Sequence, residues 1–140
     1  MPESAESLKA LTERWMEAGW QRGDTDTLLA LHAPNFVDHA APSGREMTRE
    51  GFAEGVRDLY RAFPDFYATV DDLVIDVAAA RVAVRWSARG TQRGAFMGYT
   101  ASGRRIAFRG IEIIRIVAGL IVERWGEWDG LDLRSQLAGE

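Results

Sequence analysis

Two carboxylates, Glu112 and Asp129, stand among Ile, Phe, Val and Trp in the stretch from Arg104 to Asp129, where an ionised acid is costly to bury without compensation. Read with a period of two, residues 104–116 place Ile106, Phe108, Gly110, Glu112, Ile114 and Ile116 on one face. The other face carries Arg105, Ala107, Arg109, Ile111, Ile113 and Arg115, and on the returning strand Ile121, Trp125 and Asp129 share a face with Glu123 and Glu127. An acid desolvated among aromatics is a candidate for proton transfer, because burial raises a carboxyl pKa toward the range useful for acid/base work. Two registers are open. A two-residue Ala118-Gly119 turn puts Trp125 opposite Glu112 and Asp129 opposite Phe108, so that both acids share one cavity, and this register is preferred. A three-residue turn over Val117 to Gly119 instead sets Arg124 opposite Glu112 as a cross-strand ion pair.

The rest of the catalytic vocabulary is short. Zero cysteine removes thiolate nucleophiles and cysteine-ligated metals, two histidines (His32 and His39) make a conventional zinc site improbable, and no cofactor is expected. Lys9 is the only lysine and falls on an exposed helix face, which argues against Schiff-base chemistry. No G-x-S-x-G, phosphate loop or dinucleotide fingerprint occurs. His39 is the natural proton shuttle near neutral pH, while the Ala-Ala-Pro that follows it fits a loop-fixing role equally well. A net charge of −4 and a pI near 5.3 argue against nucleic acid as a partner. No segment reaches spanning length and the N-terminus lacks a basic region followed by an apolar stretch, so neither membrane nor signal peptide is expected and the predicted location is cytoplasmic.

The elements that must position these residues follow from periodicity. At 140 residues with 46% hydrophobic content the chain predicts one domain, 1–140. Residues 4–22 carry Leu8, Leu11, Trp15 and Ala18 at helical spacing. Asp24 or Thr25 caps a second helix over Thr27 to His32, with His32 on its surface, and Pro34 follows. Asn35 to His39 is a short strand, and Thr48 caps a third helix that runs to Ala62 before Pro64. From Phe66 the period becomes two, giving strands Tyr67–Asp76, Arg81–Gly90, Arg104–Ile116 and Leu120–Asp129. Three N-terminal helices in a cone against a curved, mainly antiparallel sheet make an α+β fold with an apolar internal cavity. The Gly90 to Gly103 segment reads as a flap carrying Phe96 and Met97, or as a plain hairpin loop.

The chain resembles the SnoaL-like polyketide cyclase and ester cyclase group of the nuclear-transport-factor-like cone superfamily over nearly its whole length. The matching pieces are Asn35-Phe36-Val37-Asp38-His39, Ala62-Phe63-Pro64-Asp65-Phe66, the runs Arg89 to Gly98 and Thr100 to Arg104, and Ile121-Val122-Glu123-Arg124-Trp125 followed by Asp129 and Gln136-Leu137. The resemblance implies a cofactor-independent intramolecular aldol closure in which a carboxylate near the end of the last strand moves the proton, with Asp129 as its match. It implies histidine where Glu112 stands and aspartate or another polar residue where Gly126 stands, both departures here. Isomerase relatives place a catalytic acid where the short strand ends, at Asp38 and His39. The hydrophobic substrate pocket is then lined by Trp15, Tyr60, Phe63, Trp86, Met97, Phe108 and Trp125. Relatives that hydrolyse epoxides of the limonene type use an Asp, Arg, Asp set, and Arg109 and Glu112 fall on opposite strand faces, which does not supply it. A non-catalytic binding module is the further alternative, and the outer sheet face, rich in arginine, is the expected homodimer surface.

Overall fold

The computed structural model describes residues 3–140. Ser4 opens helix α1 (Ala5–Trp15), its hydroxyl accepting from Ser7 N while the Ser7 hydroxyl accepts from Ser4 N, so orphan amides are satisfied reciprocally. The chain continues into a π-helical turn, Met16–Gln21. Asp24 caps α2 (Thr25–Leu31), which runs directly into strand β1 (His32–Asp38). Thr48 caps α3 (Arg49–Ala62) through Gly51 N, as its place before an amphipathic run predicts. The meander follows as β2 (Tyr67–Asp76), β3 (Arg81–Thr91), β4 (Arg105–Val117) and β5 (Leu120–Trp128), each within a residue or so of its expected bounds.

A fourth helix, α4 (Gly130–Ala138), was not expected from the sequence. Only Leu133 and Leu137 of it are buried and Leu131 is exposed, so its apolar stripe is too thin to stand out. The sheet order is β1-β5-β4-β3-β2, antiparallel except for the parallel β1/β5 edge, so the fold is α+β with four helices and a curved, open, mixed sheet. The inner sheet face, with Val82, Val84, Ile114, Ile116 and Ile121, packs on Leu8, Trp15 and Met16. Among the described residues no helix is long and apolar enough to cross a membrane.

Two expectations are overturned. The hairpin turn is Ala118-Gly119, both at positive φ, and Val117 pairs with Leu120 and Ile116 with Ile121. A bulge at Val122 then shifts the ladder by one residue, so Glu112 lies opposite Gly126 and not opposite Trp125 or Arg124. A one-residue slip exchanges the two faces of everything beyond it. His32 is also not on a surface: it is 1% exposed at the α2/β1 junction, against Phe36 and Phe52. Its Nδ1 lies 2.6 Å from Leu28 O and its Nε2 accepts from Trp15 Nε1 at 3.2 Å, an arrangement that needs the neutral ring protonated on Nδ1.

Burial pushes the His32 pKa down from 6.5 to about 4. A depressed imidazole contributes stability that is complete above the unfolded value and is lost as pH falls toward the folded one. In urea unfolding, wild type should therefore lose up to about 3 kcal/mol relative to His32→Gln as pH falls through this interval.

Candidate active site

The bulge determines which charges face inward. Beyond Val122 the inner positions of β5 are Arg124, Gly126 and Trp128, while Glu123, Trp125 and Glu127 face out. Parallel pairing sets Asp38, the last residue of β1, beside Arg124, and the strand end is held by Asp38 N on Met47 O and His39 N on Arg124 O, both at 2.9 Å. Arg124 thus lies between two acids. Its Nε and Nη2 donate to Glu112 Oε1 at 2.8 and 2.6 Å, and its Nη1 donates to Asp38 Oδ1 and Oδ2 at 3.0 and 3.2 Å. Asp38 Oδ1 also accepts from Ala40 N at 3.0 Å. The guanidinium carbon lies 4.9 Å from the Phe52 ring centroid and 5.6 Å from that of Trp20, over two rings that pack edge to face with each other.

Glu112 is 1% exposed and its Oε2 has no hydrogen-bond partner among the described residues. Burial raises its pKa above the ordinary glutamate value, against the opposing pull of Arg124 and with a further upward push from Asp38. Gly126 makes room for it: a Cβ built there would lie 2.2 Å from Glu112 Oε2. Glu112 and Gly126 are therefore one spatial arrangement, in which an acid reaching across from β4 fills the volume a side chain on β5 would occupy.

A cavity of about 260 Å³ opens from this cluster. Trp20 from the π-helical turn, Phe52 and Val56 from α3, Trp86 from β3, Phe108 from β4 and Trp128 from the end of β5 form most of its apolar wall. Asp38, 2% exposed, and Arg124, 9% exposed, are polar groups at its buried end, with Glu112 behind the arginine. An acceptor carboxylate and a guanidinium with unused N–H capacity, fixed at the end of an apolar chamber, can take up a proton and hold a developing oxyanion.

The structure brings together Asp38, Glu112, Trp86 and Phe108 and disperses the other expected site residues. Asp129 caps α4 by accepting from Asp132 N at 3.0 Å and lies in a groove on the outer sheet face with Asp71, Arg85 and Arg109. His39 turns outward to Glu123 Oε2 at 2.7 Å and stacks on Trp125 at 4.9 Å between centroids. Trp125 is thereby an outer-face residue, with Arg81 over its ring, because of the bulge. Trp15 and Phe63 are fully buried core, Tyr60 packs on Phe66 behind the wall, and Met97 is 44% exposed at a positive-φ turn while its neighbour Phe96 lines the cavity. Trp20, Phe52 and Trp128 were not among the expected lining residues, and Arg124 was considered only as the ion-pair partner of Glu112, a pair that forms here in a different register. The extra residue per turn in Met16–Gln21 moves Trp20 off the face that a 3.6-residue period assigns it.

Removing the central cation tests this geometry. Arg124→Met leaves two buried acids without a counter-ion and should cost about 3–5 kcal/mol in urea unfolding at neutral pH. Adding Glu112→Gln to that variant should recover part of the loss.

A family model for SnoaL-like polyketide cyclases matches residues 10–137. TsrD from Streptomyces laurentii superposes with a TM-score of 0.87 at 29% identity, covering 99% of each chain. AclR from Streptomyces galilaeus, provisionally described as a hydroxylase, gives 0.85 at 26% identity over 98% of this chain and 99% of its own. IdmH from Streptomyces antibioticus, provisionally described as a polyketide cyclase, gives 0.80 at 32% identity over 94% of this chain and 98% of its own. Among curated proteins no sequence match is found. With the family model spanning most of the sequence and the same cone enclosing the cavity, the chain belongs to the SnoaL-like polyketide cyclase family.

Proposed function

We propose that this chain is a cofactor-independent cyclase that closes a ring in an apolar carbonyl compound inside the cavity, with Asp38 as the proton acceptor and Arg124 as the donor to the enolate oxygen. The observation that carries this reading is the buried Asp38, Arg124, Glu112 cluster at the end of an aromatic chamber. In the aldol step Asp38 takes a proton from the carbon beside a carbonyl and the electron pair moves onto that carbonyl oxygen, against Arg124 N–H. The enolate carbon then bonds to a second carbonyl of the same molecule, and the new alkoxide takes the proton back from Asp38. One carbon–carbon bond forms, nothing leaves, and no electron is exchanged with a redox partner. Glu112 is a positioning residue in this scheme: it holds Arg124 through two N–H groups.

A second reading is epoxide opening by water. It is favoured by the acid, Arg, acid order, which Arg124 supplies where Arg109 does not. Asp38 would deprotonate the water, but the epoxide oxygen then needs an acid in the cavity, and Glu112 lies behind the guanidinium. The aldol reading asks only for the one open carboxylate. Asp129 and His39, on the outer face, take no part in the proposed chemistry.

The outer face also supports a homodimer. Val74, Ala83, Ile113 and Trp125 are successive cross-strand partners and form an apolar row over four strands. Rows of both charge signs flank it, Asp76, Arg81, Arg115 and Glu123 on one side and Asp72, Arg85 and Glu127 on the other, a pattern that a two-fold axis makes self-complementary.

Asp38→Asn should lower turnover of a cyclising polyketide-type substrate by a factor of about 100 or more while ligand binding persists, measured by product formation and by ligand-induced thermal shift. Ring closure without incorporation of oxygen from labelled water supports the cyclase; a diol carrying that oxygen supports the hydrolase; binding with no conversion by either protein leaves a carrier. Ile113→Asp should convert the dimer to a monomer in sedimentation at concentrations where wild type is dimeric.

A further inference from the structure

Charge is divided unequally between the two ends of the cavity. At the buried end one guanidinium, Arg124, serves two carboxylates. At the rim the ratio reverses: Asp58 is shared by two guanidiniums, with Arg45 Nη2 donating to Oδ2 at 2.7 Å and Arg61 Nη1 donating to Oδ1. That trio carries one positive charge in excess. Arg61 projects into solvent with 71% of its side chain exposed, whereas the Arg45 side chain is 24% exposed and lines the cavity.

Arg45 is both held and incompletely used. Its backbone N donates to Pro42 O at 3.1 Å, and its guanidinium lies against α3 beside Gly55, where an added Cβ would stand 3.6 Å from Nη1. Nη1 is buried and has no hydrogen-bond partner among the described residues. A charged N–H stripped of water with nothing accepting from it is costly, and the cost disappears when an acceptor arrives from the cavity side. Arg45 also lines a second recess with Glu46, Glu50 and Glu54, but among the described residues none of the three forms an ion pair with it.

We infer that Arg45 is a specificity-determining residue that binds a carboxylate of the substrate at the cavity rim, so that the preferred substrates are apolar acids that enter with the reacting carbonyl toward Asp38 and Arg124. A carboxylate fits the unspent positive charge and makes a charge-assisted hydrogen bond with the Arg45 guanidinium, Nη1 becoming available through a small shift of the side chain, which an ester or hydrocarbon cannot match. The apolar length between the two polar ends fills the aromatic chamber. The inference rests on this cavity being the substrate site proposed above.

The test is calorimetric binding of 2-naphthoate and its methyl ester, two probes of nearly equal apolar surface that differ in charge. Wild type should bind the acid more tightly than the ester by about tenfold or more. Arg45→Met should abolish the preference by weakening the acid and leaving the ester unchanged; Arg45→Lys should keep part of it. Asp58→Asn, which removes the competing carboxylate, should widen it. Should Arg45→Met fail to fold, Arg45→Lys and Asp58→Asn carry the test. Equal binding of the probes by wild type, a preference that survives in Arg45→Met, or no binding of either probe at its solubility limit overturns the inference. Because only binding is read, failure of the preference leaves the Asp38 chemistry standing, and failure of Asp38→Asn to lower turnover leaves the preference standing.

Discussion

One cation held between two acids inside the protein is the constraint on which the rest of this structure depends. Taking an ionised group out of water costs several kcal/mol even after relaxation, roughly the scale of a small domain's whole stability. Arg124 has to be satisfied by Asp38 and Glu112 together, and those residues come from three different strands. The strand carrying Asp38 makes the one parallel pairing of the sheet among the described residues and is separated from its neighbour by 86 residues of sequence at the ion pair. The cluster therefore closes only when the most non-local pairing of the fold has formed, which makes edge strand β1 part of the site and not merely its border.

Around this cluster the apolar wall serves electrostatics as much as binding. Phe52 and Trp20 pack edge to face with one another against the guanidinium and exclude water from that side of it, so its remaining N–H groups act at a low local dielectric. The position of Trp20 in turn depends on the π-helical turn that continues α1, whose wider winding directs its ring to the cavity.

Most of the fold was legible because its signals are local. Ser4, Asp24 and Thr48 are side-chain caps beside amphipathic runs, and the alternation in 67–76, 81–91 and 105–117 carries its own period. The inward face of β4, Glu112 included, was readable for the same reason. The face of β5 was not. In Leu120-Ile121-Val122 any apolar residue can be the extra one, and nothing in that triplet says that Val122 bulges, yet the choice decides whether Trp125 or Arg124 faces the core. His32 was hidden by a related ambiguity: its burial follows from a helix that becomes a strand without a loop, at the residue where one period replaces the other.

The shared volume of Glu112 and position 126 also constrains how such a site can change through descent. With an acid at 112 reaching into that space, a side chain at 126 collides with it; with a shorter or differently directed residue at 112, a glycine at 126 leaves a void beside a buried arginine. Neither half of the exchange is comfortable alone. A change that moved the charge from one strand to the other would thus pass through an intermediate either crowded or hollow, which ties positions 112 and 126 together as a unit.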